Sequence, residues 1–188
     1  MTNGESIFES GGFTNAYPAD YISVQCLTSY PGLLEKSVSE VEYRIIEGLP
    51  GEEVLSWVVE VSDNAFSSVG DIAEHQRLLT GKRSVLTCMA FDDGTPVGFK
   101  IGYEERPHYF ESWLGGVIKT ARRRGIAQQL TRHQHAWCQQ QGFRIITTIC
   151  SNDNTAMLIL NLRHGLRITG SFLDRKEHLK LIMQKHLD

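Results

Sequence analysis

A chain of 188 residues, 41% hydrophobic and 22% charged, has room for one domain with a hydrophobic core. Its formal net charge of -3 gives no field that would draw the whole molecule to nucleic acid or an anionic membrane, so any basic site has to be local. Cys26, Cys88, Cys138 and Cys150 are too far apart for a CxxC pair and too few for a disulfide scaffold. No apolar run reaches the ~18 residues of a membrane span, and MTNGESIFES lacks the features of a signal peptide; a cytoplasmic, reducing setting is expected.

Residues 1–40 are rich in Gly, Ser, Asn and Tyr without a clear period and are set apart as an N-terminal extension of unassigned role. Its aromatics Phe13, Tyr17, Tyr21 and Tyr30 leave two readings open, packing on the domain or a loosely ordered arm. From Val41 a domain running to residue 188 is expected. VEYRII has strand character, and Pro50 ahead of EEVLSWVVEV marks a helix start with acidic residues in its first turn,. A second helix over DIAEHQRLL is closed by Gly81, and SVLTCMAF, the turn DDGTP and VGFKIGY form a hairpin pattern,.

The next strand, YFESWLGGVIK, leads through TARRRG into an amphipathic helix, IAQQLTRHQHAWCQQQ, that stops at Gly142,. FRIITTIC then reads as a strand buried on both faces,. Strand, helix, strand makes a right-handed βαβ crossover with parallel strands. Asn152, Asp153 and Asn154 precede a helix, TAMLILNLRH, ended by Gly165, and LRITGSFL with HLKLIMQKHL closes the chain as a strand pair,. The fold class is therefore α/β, with a mixed, mostly antiparallel central sheet flanked by helices.

Arg122, Arg123, Arg124, Gly125, Ile126 and Ala127 join a strand to a helix. Unpaired N–H groups and the positive end of the helix dipole converge there, which suits a phosphate. Gly125 and Ala127 leave room for a pyrophosphate, and Lys119 with the three arginines adds positive charge,. A nucleic-acid reading of the same arginines is weaker, because no aromatic-rich strand accompanies them.

R-x-x-G-x-A after a strand carrying V-x-K resembles the acyl-CoA-binding motif of the GNAT superfamily. Asn154 followed by MLILNLRHGL resembles that family's second motif. The resemblance covers about four fifths of the chain. It implies an N-acetyltransferase with a parallel βαβ acyl-CoA-binding core, acetyl-CoA as co-substrate, no metal, and a small-molecule amine or protein amino group as acceptor. Nucleic acid and membrane are not expected as partners, and a homodimer stays open. It also implies a bulged, splayed strand at Gly115–Gly116, with the backbone near Val117, Ile118 and Lys119 pairing with pantetheine.

An amine must be neutral to attack, so a base or a water chain is required. In family members of the histone-acetyltransferase type a glutamate stands where Glu111 stands, six residues before Val117, which implies Glu111 as base; Glu104 and Glu105 are fallbacks. Many members carry a tyrosine seven residues after the motif asparagine as the acid; here that residue is Asn161, which donates a hydrogen bond but no proton. Asn154 and Asn161 are read as cofactor contacts. A CoA-binding regulatory module without turnover is the rival reading. His133 and His135 lack a third ligand at zinc spacing, Cys150 is more often a core residue than a nucleophile, and Trp57, Trp113 and Trp137 are read as core or groove aromatics.

Overall fold

The computed structural model describes residues 40–66 and 71–187. The chain divides after Ser37, and every element below lies in the unit Val38–Asp188. Phe13, Tyr17, Tyr21, Cys26 and Tyr30 lie outside the described residues.

The elements in chain order are β1 (Glu42–Glu47), α1 (Glu52–Ala65), α2 (Ile72–Leu79), β2 (Arg83–Asp92), β3 (Thr95–Arg106), β4 (Tyr109–Val117), a 3-10 turn (Lys119–Ala121), α3 (Ile126–Gln140), β5 (Ile145–Ser151), α4 (Thr155–Arg163), β6 (Arg167–Leu173) and β7 (Leu179–His186). The local chemistry accounts for their ends. Asp71 caps α2 by accepting from the Glu74 amide at 2.8 Å, and Asn154 caps α4 by accepting from the Met157 amide at 3.2 Å, each satisfying a first-turn N–H that has no partner within its helix.

The seven strands form one sheet in the order β1-β2-β3-β4-β5-β7-β6. Every neighbouring pair is antiparallel except β4 and β5, the pair that α3 connects. The sheet is mixed and mostly antiparallel, as the pattern of turns and the single crossover require.

Alternation along the strands gives the sheet two apolar faces. On one, Leu55, Val58 and Val61 of α1 and Leu79 of α2 pack on Val85, Met89, Phe91, Phe99 and Ile101. On the other, Ile126, Leu130, Trp137 and Cys138 of α3 pack on Leu86, Cys88, Ala90, Phe110 and Ile146. Burying each large side chain of this kind contributes ~1.5–3 kcal/mol relative to leaving it exposed. Trp57 meets Phe91 edge-on at 5.1 Å, and Trp137 meets Phe110 at 5.7 Å; Trp137 is a core residue and Trp57 packs, partly buried, against the core.

β5 is buried on both faces only in part. Ile146, Thr147 and Thr148 are buried, but Ile149 is 50% exposed. The reason lies in its neighbour: β4 and β5 pair from Tyr109↔Ile145 to Glu111↔Thr147 and no further, so beyond Thr148 one flank of β5 is no longer covered.

Candidate active site

The parting of β4 from β5 organises the site. The last stitch between the strands is a side chain: Thr148 Oγ1 donates to the Ser112 carbonyl at 2.8 Å. From there β4 and β5 diverge, and the β4 edge facing the gap has no strand partner among the described residues. The irregularity in β4 is not at Gly115–Gly116, where the sequence suggested it. Gly115 and Gly116 pair in register with Lys100 and Phe99, while Ser112 and Trp113 together oppose the single residue Gly102. That is a β-bulge three residues earlier, and a side chain at Gly102 would collide with the Phe110 ring and the Glu111 carbonyl.

Gly115 and Gly116 serve another purpose. A Cβ on Gly116 would stand 2.8 Å from Cε2 of Phe66, and one on Gly115 would stand 3.4 Å from Cγ of Lys100. The strand is bare because neighbours close on it from both faces. A cavity of about 540 Å³ opens beside it, lined by Phe66, Phe99 and Lys100, by Gly115 to Val117, by the start of α3 and by Asn154, Ala156, Met157, Ile159, Leu160 and Arg163 of the α4 segment.

At one end of this cavity is the α3 N-terminus. Gly125 takes φ 81°, ψ 0° as its N-cap, and no side chain caps the helix. The first helical amide to find a partner within the helix is that of Gln129, which donates to the Gly125 carbonyl. The amides of Ile126, Ala127 and Gln128 precede it and point out of the helix end. Arg123, held at φ 65°, Gly125, Ile126, Ala127 and Gln128 all line the cavity. Donor groups and dipole converge as an anion requires.

Glu111 stands at the vertex of the gap, as the last β4 residue paired with β5. It is directly opposite Tyr103, so its side chain shares the α1/α2 face of the sheet with Tyr103 and Trp113, whose rings lie 6.1 Å apart. His75 of α2, 6.1 Å from Trp113, and Lys82, whose Nζ sits 4.3 Å over the Tyr103 ring, complete this wall. Burial pushes the Glu111 carboxyl up to about 7, Glu105 adds to the rise, and Lys100 and Lys82 oppose it. Such a carboxylate accepts protons near neutral pH.

The model of the acetyltransferase (GNAT) family matches residues 52–165, more than half of the chain. This chain belongs to the GNAT acetyltransferase family. Solved structures agree in fold. The ribosomal-protein-S18-alanine N-acetyltransferase of Escherichia coli superposes with a TM-score of 0.67 at 14% identity, covering 78% of this chain and 95% of its own. The NatC complex bound to Gag peptide and CoA gives 0.67 at 19%, covering 79% and 99%, and a GCN5-related N-acetyltransferase from Kribbella flavida gives 0.60 at 22%, covering 77% and 98%. No curated protein sequence matches the chain. As a family member the chain is an acyl-CoA-dependent acetyltransferase.

Several residues singled out from the sequence sit differently from what the motif alone suggests. Arg122 turns inward, donating to the Ala65 carbonyl at 2.9 Å and from Nε to the Val117 carbonyl at 3.3 Å; it lines the cavity but fixes the loop to α1 and β4. Arg124 pairs with Asp92 and is not among the lining residues. Lys119, exposed in the 3-10 turn, and Ile118, whose amide donates to Val97 at 3.0 Å, are not lining residues either. Of the expected basic cluster, Arg123 is the arginine left facing the cavity without a backbone or carboxylate partner among the described residues.

Asn161 also differs. It is 3% exposed, directs Nδ2 to Met183 Sδ at 3.7 Å, and is absent from the cavity wall, because the α4 face that meets the cavity runs through Ala156, Ile159, Leu160 and Arg163. Asn154 does line it, with its oxygen occupied as the α4 cap. Cys150 is buried against Leu166 and Met183, burial raises its thiol, and it too is off the wall. The fallback Glu104 is tied to Arg83 at 3.4 Å and Ser84 at 3.0 Å. His133 lies tilted against Tyr43 and His135 meets His164 edge-on, so the two rings serve different contacts. Polar cavity residues not singled out from the sequence include Gln128, Arg163 and Lys100. Gln128 lies in the first turn of α3, Arg163 follows Ala156 at helical spacing on α4, and Lys100 breaks an otherwise small or apolar strand, VGFKIG.

Proposed function

We propose that this chain transfers the acetyl group of acetyl-CoA to a primary amine, of a small molecule or a protein, by direct attack in a ternary complex. The pyrophosphate is bound by the amides of Ile126, Ala127 and Gln128 with Arg123, and the pantetheine amides pair with the open β4 edge from Gly115 to Val117. Asn154 offers its remaining amide group at the α4 end. Glu111 takes the proton of the attacking amine. The observation that supports this most is the position of Glu111, at the vertex of the strand gap on the face carrying Tyr103 and Trp113, with a carboxyl raised to about 7.

The fold accommodates acceptors of both kinds. One similar structure is named for an alanine of ribosomal protein S18 and another holds a Gag peptide, which keeps a protein amino group beside small amines. The test is release of CoA thiol from acetyl-CoA against polyamines, aminoglycosides, amino acids and lysine or N-terminal peptides. Amine-dependent release by the wild type is expected. Tight acetyl-CoA binding with no release above hydrolysis for any amine would favour a binding module without turnover.

A further inference from the structure

Lys100 is the one charged residue in the middle of β3, and it is 7% exposed. It pairs with Cys88 and with Gly115, and Cys88 belongs to the α3 face, so Lys100 points to the side of the sheet opposite Glu111. Its stem passes beneath β4, with Cγ 3.4 Å from where a Gly115 Cβ would stand. It reaches the cavity and lines it. Among the described residues no hydrogen bond or ion pair holds its ammonium. A buried ammonium without a close partner is unfavourable, and groups kept in that condition inside a cleft are candidates for chemistry.

The reaction also lacks a proton donor for its leaving group. The α4 position at which the family resemblance implies a tyrosine holds Asn161, which faces Met183 rather than the cavity. Resting on the donor placement proposed above, with the pantetheine amides along Gly115 to Val117, the thioester follows at the Gly115 end of that edge, toward Glu111, and the charged group beneath that end is Lys100. We propose that Lys100 is the general acid that protonates the departing thiolate of CoA.

The step balances. The amine nitrogen bonds to the thioester carbonyl carbon and gives its proton to the Glu111 carboxylate. The carbon–sulfur bond breaks with its electron pair going to sulfur, and sulfur takes a proton from Lys100 Nζ. Solvent then removes the proton from Glu111 and returns one to Lys100, leaving amide and free CoA thiol as net products. Base and acid approach the reacting centre from opposite faces of the sheet, so neither blocks the other.

The electrostatics suit this role. Burial lowers Lys100 to about 8, against the Glu111 carboxylate on β4, which favours its cation; the thiols of Cys88 on β2, Cys138 on α3 and Cys150 on β5 also face it, but burial raises each of them and keeps them neutral. His135 of α3 and His164 after α4 also feel its charge. A donor near 8 is matched to a thiol of ordinary pKa about 8.5. The acid has to be protonated, so turnover should fall as pH rises through about 8, whereas Glu111 has to be ionised, so turnover rises through about 7.

The test uses the full chain and CoA, with Lys100→Met, which keeps an unbranched stem and removes the ammonium. First, CoA binding is measured by calorimetry, and the thiolate absorbance of bound CoA is followed against pH. In wild type the bound thiol should titrate below its free value, and in K100M it should titrate at or above it. Second, with an amine that wild type acetylates, K100M should lose roughly 10²-fold in turnover and lose the falling limb above pH 8 while keeping near-wild-type CoA affinity. Absence of CoA binding in wild type would overturn the functional reading itself. Binding with a thiol titration identical in wild type and K100M would overturn the role of Lys100 alone. So would acetylation of Lys100 in the intact-mass spectrum after incubation with acetyl-CoA, since the lysine would then be an acceptor.

Discussion

Replacing Glu111 by Gln should make the protein more stable and less active, in opposite directions from one atom change. The carboxyl has an ordinary value of 4.5 and is pushed up to about 7 by burial and by Glu105. In the unfolded chain it gives up its proton above 4.5; in the fold it holds it until about 7. Between those values the folded state binds more protons, so Glu111 contributes stability that is present at low pH and is lost as pH rises to about 7. At 1.36 kcal/mol per pKa unit the ceiling is ~3 kcal/mol, and partial solvent contact reduces the expectation to ~1–2 kcal/mol. Gln carries no such penalty. The difference in thermal midpoint between E111Q and wild type should therefore widen by about 2–8 °C between pH 4.5 and pH 8. Turnover at neutral pH should drop roughly 10²-fold or more, with donor affinity nearly unchanged. The loss should shrink at high pH, where more of the amine is already neutral. Scanning calorimetry across pH, paired with thiol release, reads both. Wild-type turnover at every pH together with a pH-independent midpoint difference would refute both the burial and the basic role of Glu111.

The loop residues separate into those that hold it and those that meet the donor. Arg122→Ala should lower the midpoint without any ligand, since it removes the bonds to the Ala65 and Val117 carbonyls, whereas Arg123→Ala should leave the midpoint alone and weaken acetyl-CoA binding; equal midpoints for the two variants would contradict the assignment. Gly125→Asp forces an acidic side chain onto a left-handed residue, φ 81°, at the helix end proposed to hold the donor phosphates. It should abolish the stabilisation that saturating acetyl-CoA gives wild type, ~2.7 kcal/mol at a hundredfold excess over Kd; a retained shift would move the donor elsewhere. His135 is held down to about 3 by burial and by Lys185. The unfolded chain therefore binds an extra proton from about 6.5 downward, and stability falls as pH drops through that window. His135→Gln should flatten this acid limb by ~1.4 kcal/mol per pH unit, and identical limbs would show that the ring is not held neutral.

Much of the fold is local enough to be read from the chain. Asp71 and Glu74 mark one helix start, the Asp93–Gly94 turn sets the β2–β3 hairpin, and Gly142 ends α3, each through a contact within a few residues. The helix end proposed to hold the anion was legible for the same reason, because a strand, a glycine and an uncapped helix are all local to the chain. What each arginine does was not. Arg122 finds its acceptor on Ala65 and Arg124 finds Asp92, partners far along the chain that no motif spacing encodes. The bulge fell at Ser112–Trp113 because it is set by Gly102 on the neighbouring strand, not by the glycines of β4 itself. The direction of Asn161 is set by helical phase: the cavity meets the face of Ala156 and Leu160, and position 161 turns to Met183. Lys100 left a trace, a lysine between Gly98 and Gly102 in a core strand, but its meaning depends on the missing Gly115 side chain opposite.

The central claim is that the donor lies along the open edge of β4 with its phosphates on the α3 N-terminus. Amide hydrogen exchange with and without saturating CoA tests it residue by residue. Added protection should concentrate on Gly115 and Val117, whose amides alternate toward the open edge while that of Gly116 points to β3,, and on Ile126, Ala127 and Gln128, with little change in β1 or β2. Tight binding that protects other segments and leaves these five amides exchanging as before would contradict it.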